Sequence, residues 1–196
     1  MPCKRAYDDN NMNSIKNIEP STSNKINKRL RLLKIFIISY AGIGIALYYL
    51  QEKILFHPKK LDSHYVFNFN QPFEEINIPF NETDTVNMIK FFPADSIRRG
   101  VVLYFHGNMK NVEHYAPFVP AFTRHGYEVW MPDYPGYGKS TGQLSEKKLY
   151  SIAYEVQKMA ALKFGNDRII IYGKSLGTAI AAYTASVKRC KRLLLE

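Results

Sequence analysis

A chain of 196 residues can hold one core domain and an extension. Its formal charge is +10, but residues 1–60 carry +7 of it (eleven Lys/Arg against four Asp/Glu) and the remaining residues only +3, which argues against a nucleic-acid-binding face on the domain. The two cysteines, Cys3 and Cys190, exclude a disulfide framework and a cysteine metal cluster.

The first 72 residues divide into three segments. Residues 1–29 are polar, rich in Asn, Ser and Lys, and predict a disordered basic tail. Residues 30–52 contain the uncharged run Ile35 to Leu50, which predicts a transmembrane signal anchor. Residues 53–72 form an aromatic, proline-containing connector, which we expect on the membrane-facing side of the domain.

The charges beside the apolar run predict its orientation. Five Lys/Arg side chains precede the run and three Lys side chains follow it, so the positive-inside rule predicts a cytoplasmic N-terminus and an extracytoplasmic domain. A cleaved signal peptide is the alternative, because Gly44-Ile45-Ala46 has the small-x-small pattern of a cleavage site. Asn81-Glu82-Thr83 is a glycosylation sequon, which matters only for a luminal domain in a host that glycosylates.

Residues 73–196 have the pattern of an α/β domain. The domain begins with an antiparallel hairpin, Glu75 to Phe80 and Val86 to Phe92. After it, short apolar strands alternate with helical patterns: strands at 101–105, 127–131, 169–172 and from Arg192, and helices at 112–124 and from Ser145 to Phe164. This alternation predicts a mostly parallel, doubly wound sheet.

The stretch that carries chemistry is Gly173-Lys174-Ser175-Leu176-Gly177, between a buried strand and an alanine-rich helical segment. A G-x-S-x-G sequence at a strand-to-helix turn is a nucleophile elbow. The sharp turn exposes the Ser175 hydroxyl, and Gly173 and Gly177 let the backbones approach without a Cβ clash. The start of the helix directs N–H groups toward a developing oxyanion. The alternative is a glycine-rich turn without chemistry.

Three motifs follow three strands in order: His106-Gly107-Asn108, then DYPGYGKS from Asp133, then GKSLGTA from Gly173. Together they resemble the α/β-hydrolase superfamily, especially its membrane-anchored serine-peptidase-like, esterase-like branch. The resemblance implies a partial α/β-hydrolase fold over residues 73–196, behind an N-terminal transmembrane helix. It also implies that Ser175 is the nucleophile and that the backbone N–H groups of Leu176 and Asn108 are the oxyanion donors. Four further residues near the site would be structural: His106, Gly107, Gly173 and Gly177.

The resemblance stops short of a full catalytic set. In this superfamily an acid and then a histidine follow the serine, whereas no histidine follows Ser175 here and Glu196 lies too early to be the acid. We therefore expect an incomplete piece of a longer hydrolase, inactive as the 196-residue chain alone. The alternative is a complete, non-catalytic interaction protein tethered to a membrane.

The predicted reaction is hydrolysis of an ester, thioester or amide through an acyl-enzyme on Ser175. The predicted partners are a small-molecule or lipid acyl substrate and the membrane, without nucleic acid. Neither a metal nor an organic cofactor is expected, because the motifs that carry the chemistry need none.

Overall fold

The computed structural model describes residues 22–95 and 98–196 of the chain. The chain divides into two units, the first ending at Glu52 and the second spanning Lys53–Glu196. Helix α1, Thr22–Leu55, contains a segment, Ile26–Gln51, that is long and apolar enough to cross a membrane. Most of the predicted disordered tail, residues 1–21, lies outside the described residues.

Helix α1 extends beyond the predicted anchor segment, residues 30–52, at both ends. The helix begins at Thr22, inside the predicted tail, and ends at Leu55, inside the predicted connector. Residues 22–29 contain neither glycine nor proline, so nothing in that stretch interrupts a helix that the apolar run propagates. Low hydrophobicity had indicated disorder there, but a polar sequence can extend an existing helix.

The second unit is built on one six-stranded mixed sheet. A two-stranded pair of β1 (His57–Pro58) with β5 (Met109–Lys110) lies apart from it. The strand order of the main sheet is β2-β3-β6-β4-β7-β8. Its strands are β2 (Phe73–Pro79), β3 (Thr85–Phe91), β4 (Gly100–Phe105), β6 (Tyr127–Pro132), β7 (Ile169–Gly173) and β8 (Arg192–Leu195).

The directions of the strands match the predicted architecture. β2 pairs antiparallel with β3, which pairs antiparallel with β6, whereas β6, β4, β7 and β8 are mutually parallel. Every residue of β4 and β7 is buried, as expected for central parallel strands covered on both faces. The prediction of a hairpin followed by a doubly wound, mostly parallel sheet is confirmed.

Alternate residues of strand β4, in the middle of the sheet, face two different hydrophobic cores. Val101, Leu103 and Phe105 belong to the core under helices α4 (Glu146–Phe164) and α5 (Leu176–Val187). Val102 and Tyr104 belong to the core on the opposite face, under residues 112–122. This alternation is the two-residue period of a strand, and it fixes the sheet between two layers.

Helix α4 follows its predicted start and stop. The Ser145 hydroxyl accepts a hydrogen bond from the Lys148 backbone N–H at 3.2 Å, which satisfies one of the free donors of the first turn. Gly165 ends the helix with φ +75°, a conformation that favours glycine. The predicted helix over 145–164 is confirmed.

The stretch predicted to be helical, residues 112–124, is helical but is not one α-helix. The structure has α2 (Val112–Tyr115), a 3₁₀ turn (Ala116–Phe118) and α3 (Pro120–Thr123). Pro117 and Pro120 lack the N–H that an α-helix needs and clash with the preceding turn, so Pro117 lies in the 3₁₀ turn and Pro120 begins α3. The apolar periodicity in this stretch is real, but the prolines divide it.

Candidate functional site

The G-x-S-x-G stretch forms a sharp turn between β7 and α5. Ser175 is exposed and has φ +51° and ψ −117°, a backbone conformation that costs a non-glycine residue roughly 1–3 kcal/mol. The turn is held by hydrogen bonds on both sides: the Ser175 N–H donates to Glu196 O at 2.8 Å, and the Thr178 N–H donates to Ser175 O at 2.9 Å. The chain therefore presents this one serine in a strained, supported position.

Close backbone approach explains the two glycines of the motif. A Cβ on Gly177 would lie 1.9 Å from Phe105 O, and a Cβ on Gly173 would lie 2.3 Å from Gly177 O. Neither distance leaves room for a side chain, and both opposing atoms are backbone atoms. The elbow consequently packs directly on the end of β4, which brings the next predicted motif beside it.

The His106-Gly107-Asn108 loop lies against Ser175. β4 and β7 are neighbours with Phe105 opposite Gly173, so the loops that follow them start side by side. A Cβ on Gly107 would lie 3.4 Å from the Ser175 Cβ and 2.6 Å from the Tyr115 hydroxyl oxygen. The structure thus brings together the motifs that the sequence separates by about seventy residues.

Two backbone N–H groups near Ser175 are free. In the part of the chain that the structure describes, those of Leu176 and Asn108 donate to no protein acceptor. Their neighbours are used: the Gly177 N–H donates to Lys174 O at 2.9 Å, and the Met109 N–H lies 3.4 Å from the Tyr115 hydroxyl. The role of these two N–H groups as oxyanion donors stays a prediction.

His106 is fully buried behind the loop. Its Nδ1 lies 2.8 Å from Gly107 O, and its Nε2 lies 3.2 Å from Asp133 Oδ1. Its ring stacks on those of Tyr134 and Tyr115, with centroids 4.2 and 5.1 Å away. Both nitrogens therefore face groups other than the Ser175 hydroxyl, and the imidazole braces the loop from inside.

Asp133 is equally buried and joins two loops. Its Oδ1 accepts a hydrogen bond from the Val112 N–H at 2.9 Å, besides facing His106. Burial raises the pKa of the Asp133 carboxyl, against the lowering effect of His106 and of the Val112 N–H. Gly138 passes so close that a Cβ there would lie 2.0 Å from Asp133 Oδ2. This carboxyl shapes the loop after β6.

Among the described residues, no histidine or carboxylate side chain hydrogen-bonds the Ser175 hydroxyl. His57 and His64 lie in the connector, and His114 and His125 lie on α2 and just after α3. The Glu196 carboxylate instead accepts hydrogen bonds from Lys174 Nζ and the Tyr172 hydroxyl. These two donors lower the pKa of Glu196. In these ranges no three His, Cys, Asp or Glu side chains form a metal-binding group.

Comparison with known proteins agrees with this geometry. Residues 100–195 match the family described as alpha/beta hydrolase fold. Protein bem46 of Schizosaccharomyces pombe is 28% identical over 185 residues, which cover 82% of this chain and 60% of that protein. The alpha/beta hydrolase domain-containing protein aho-3 of Caenorhabditis elegans is 34% identical over 136 residues, 60% of this chain and 41% of that one.

The chain belongs to the α/β-hydrolase superfamily. Among solved structures, a thermostable carboxyl esterase of Bacillus coagulans superposes with a TM-score of 0.55 at 22% identity, over 63% of this chain and 43% of that one. At this identity the likeness concerns the fold. The chain spans less than two thirds of the length of either curated relative named above.

Sequence reasoning missed one part of this hydrolase-fold site. The connector does not merely link α1 to the domain: its residues 56–61 lie across the loops that follow β4 and β6. No signal in the sequence marked this placement, because the contacts are made by backbone groups. The His57-Pro58 dipeptide favours an extended chain and gives at most a hint of a strand.

Proposed function

We propose that the protein is a membrane-anchored serine hydrolase that cleaves an ester, thioester or amide through an acyl-enzyme on Ser175. The observation that carries the proposal is the strained, exposed Ser175 at the strand-to-helix turn, beside the Gly107 loop and followed by the unbonded Leu176 N–H group. A nucleophile and two convergent donors are what acyl transfer needs at its reacting centre.

In the proposed reaction, the Ser175 Oγ attacks the substrate carbonyl carbon while a base takes the hydroxyl proton. The carbonyl oxygen becomes an oxyanion and accepts hydrogen bonds from the Leu176 and Asn108 N–H groups. The tetrahedral intermediate collapses, and the leaving alcohol, thiol or amine departs with the proton from the base. Water then attacks the acyl-enzyme in the same way, releasing the acid and restoring the Ser175 hydroxyl.

The base and its orienting acid are assigned, as part of this proposal, to residues outside 1–196. His106 Nε2 faces Asp133 Oδ1 behind the loop, 3.2 Å away, and the Glu196 carboxylate is bound by Lys174 and Tyr172. The 196-residue chain alone is therefore expected to show negligible ester turnover, since a serine without a base is a weak nucleophile.

The test is to trap the acyl-enzyme on the full-length protein purified from its native membranes. Incubation with a p-nitrophenyl ester should release a burst of nitrophenol, and peptide mass spectrometry should find the acyl group on the peptide that contains Ser175. Turnover without acylation of that peptide would contradict the proposed covalent route. A protein that neither turns over nor acquires the acyl group would favour the non-catalytic interaction protein.

We further propose that α1 anchors the protein with its N-terminus in the cytoplasm and the domain outside. The apolar segment Ile26–Gln51 and the excess of Lys/Arg before it support this orientation. A membrane-held domain suits a lipid acyl substrate as well as a soluble small molecule.

The proposed orientation predicts glycosylation at Asn81. The sequon Asn81-Glu82-Thr83 is the only one in the sequence, and it lies exposed at the turn between β2 and β3. Translation with microsomes that glycosylate should give a product of lower mobility, which endoglycosidase treatment reverses and Asn81→Gln prevents. Asn68→Gln, at an exposed asparagine outside any sequon, should leave the mobility shift intact. An unshifted product that is nevertheless inserted in the membrane would refute the orientation.

A further inference from the structure

Residues 56–61, here called the strap, run across the loop that carries Asn108. The His57 N–H donates to Asn108 O at 3.0 Å, and the Lys59 N–H donates to Lys110 O at 2.9 Å. His57 and Pro58 thereby pair in parallel with residues 109–110 as a two-stranded ribbon. The strap is thus hydrogen-bonded to the loop on both sides of Met109.

The same strap also binds the loop after β6. The Gly138 N–H donates to Lys59 O at 3.0 Å, and the Leu61 N–H donates to Gly138 O at 2.8 Å. Lys59 O also accepts a hydrogen bond from the Asn111 side-chain amide at 3.2 Å. Because the strap is bonded to two separate loops, it holds each one in register with the other.

Asn108 is restrained at its carbonyl oxygen, partly by the strap, and at its side chain. Its carbonyl oxygen accepts from the His57 N–H and from the Tyr137 hydroxyl, the latter at 2.9 Å. Its side-chain amide donates to Leu55 O, just before the strap. Gly107, which precedes it, has the freest backbone of any residue type and cannot fix the direction of the Asn108 N–H by itself. The restraint therefore comes from outside the loop.

We propose that the strap is a positioning element that fixes the Asn108 N–H as an oxyanion donor, an inference that rests on the proposed function of Ser175 and Asn108. An oxyanion hole works only when its donors are fixed before the reaction, and a misplacement of about 1 Å can cost roughly 100-fold in rate. The strap begins five residues after Gln51, the end of the candidate membrane span, so the segment that leaves the anchor also orders the site.

Proline substitutions test the strap, because proline removes a backbone N–H group. They compare positions whose N–H donates a hydrogen bond with a position whose N–H donates none. Lys59→Pro removes the N–H that donates to Lys110 O, whereas Lys60→Pro removes an N–H that donates to no acceptor among the described residues. Both introduce the same residue into the same extended segment, one position apart. His57→Pro is a second variant at an independent bond, the one to Asn108 O.

The variants are compared in the full-length, membrane-purified protein by ester kinetics, hydrogen exchange and thermal unfolding. We expect Lys59→Pro and His57→Pro to lower kcat roughly 10- to 100-fold with KM within about twofold, since an oxyanion donor acts in the transition state. Amides 107–110 should exchange faster in these two variants than in Lys60→Pro. The unfolding midpoints should stay close to that of Lys60→Pro.

The two proposals fail in different ways. If Lys59→Pro and His57→Pro match Lys60→Pro in both kcat and exchange, the strap does not position the loop. If the unsubstituted protein lacks Ser175-dependent turnover, the proposed function fails, and hydrogen exchange of residues 107–110 alone decides whether the strap orders the loop. A fall in stability with unchanged exchange of these amides would overturn the inference in favour of a merely structural role.

Discussion

Replacing Ser175 with alanine is expected to lower ester turnover by the full-length protein at least about 10⁴-fold. Ser175 is exposed and lies at the elbow with φ +51°, and the Leu176 N–H next to it donates to no acceptor among the described residues. The variant loses only the hydroxyl that would attack the carbonyl carbon, so the donors and the fold remain. Turnover is measured with a p-nitrophenyl ester in the same detergent as the wild type.

Ser186→Ala is the matched control for this prediction. Ser186 is an exposed serine on the same helix, α5, and its hydroxyl donates to Tyr183 O at 2.7 Å. Its removal should change turnover little, and both variants should unfold at the denaturant concentration of the wild type. If Ser175→Ala keeps wild-type turnover, the activity arises from another group and the proposed nucleophile is wrong.

Gly177→Ala is expected to damage both the fold and the site. The added Cβ would lie 1.9 Å from Phe105 O and 2.8 Å from His106 O, so α5 must move away from the end of β4. Overpacking of this kind costs about 1–3 kcal/mol of the free energy of unfolding, and more where the opposing atoms are backbone. Because the elbow would leave the Asn108 loop, kcat should fall even in the folded fraction.

Denaturant unfolding and ester turnover measure the two effects separately. Ser186→Ala again supplies the reference, since a single exposed substitution on α5 should change stability by no more than about 0.5 kcal/mol. If Gly177→Ala unfolds at the same denaturant concentration as Ser186→Ala and has the same kcat, the close approach of Gly177 to the end of β4 matters neither for stability nor for activity.

Local sequence patterns predicted much of this fold. Runs of apolar residues gave the buried strands β4 and β7, and Ser145 and Gly165 gave the ends of α4, because strand burial and helix capping depend on neighbouring residues. The strand-to-helix position of Ser175 followed from the same kind of local signal. Pro117 and Pro120 are local signals too, and they divide the helical pattern of residues 112–124 into short segments.

Local sequence patterns predicted only part of the candidate site. The sequence placed Ser175, Leu176 and Asn108 at strand ends, and their roles stay predictions. It could not show that His106 faces Asp133 behind the loop, because that pairing depends on the order β6-β4 in the sheet. A histidine beside a glycine has no fixed partner until neighbouring strands bring one.

The sequence by itself therefore determined the elements and the elbow, which depend on residue types a few positions apart. The tertiary structure alone decided that the strap crosses the Asn108 and Gly138 loops. The physical reason is that the strap is bound mainly through backbone N–H and C=O groups, which every residue except proline offers alike. Side-chain patterns encode period and burial, whereas contacts between distant backbone segments become visible only once the sheet has set the loops side by side.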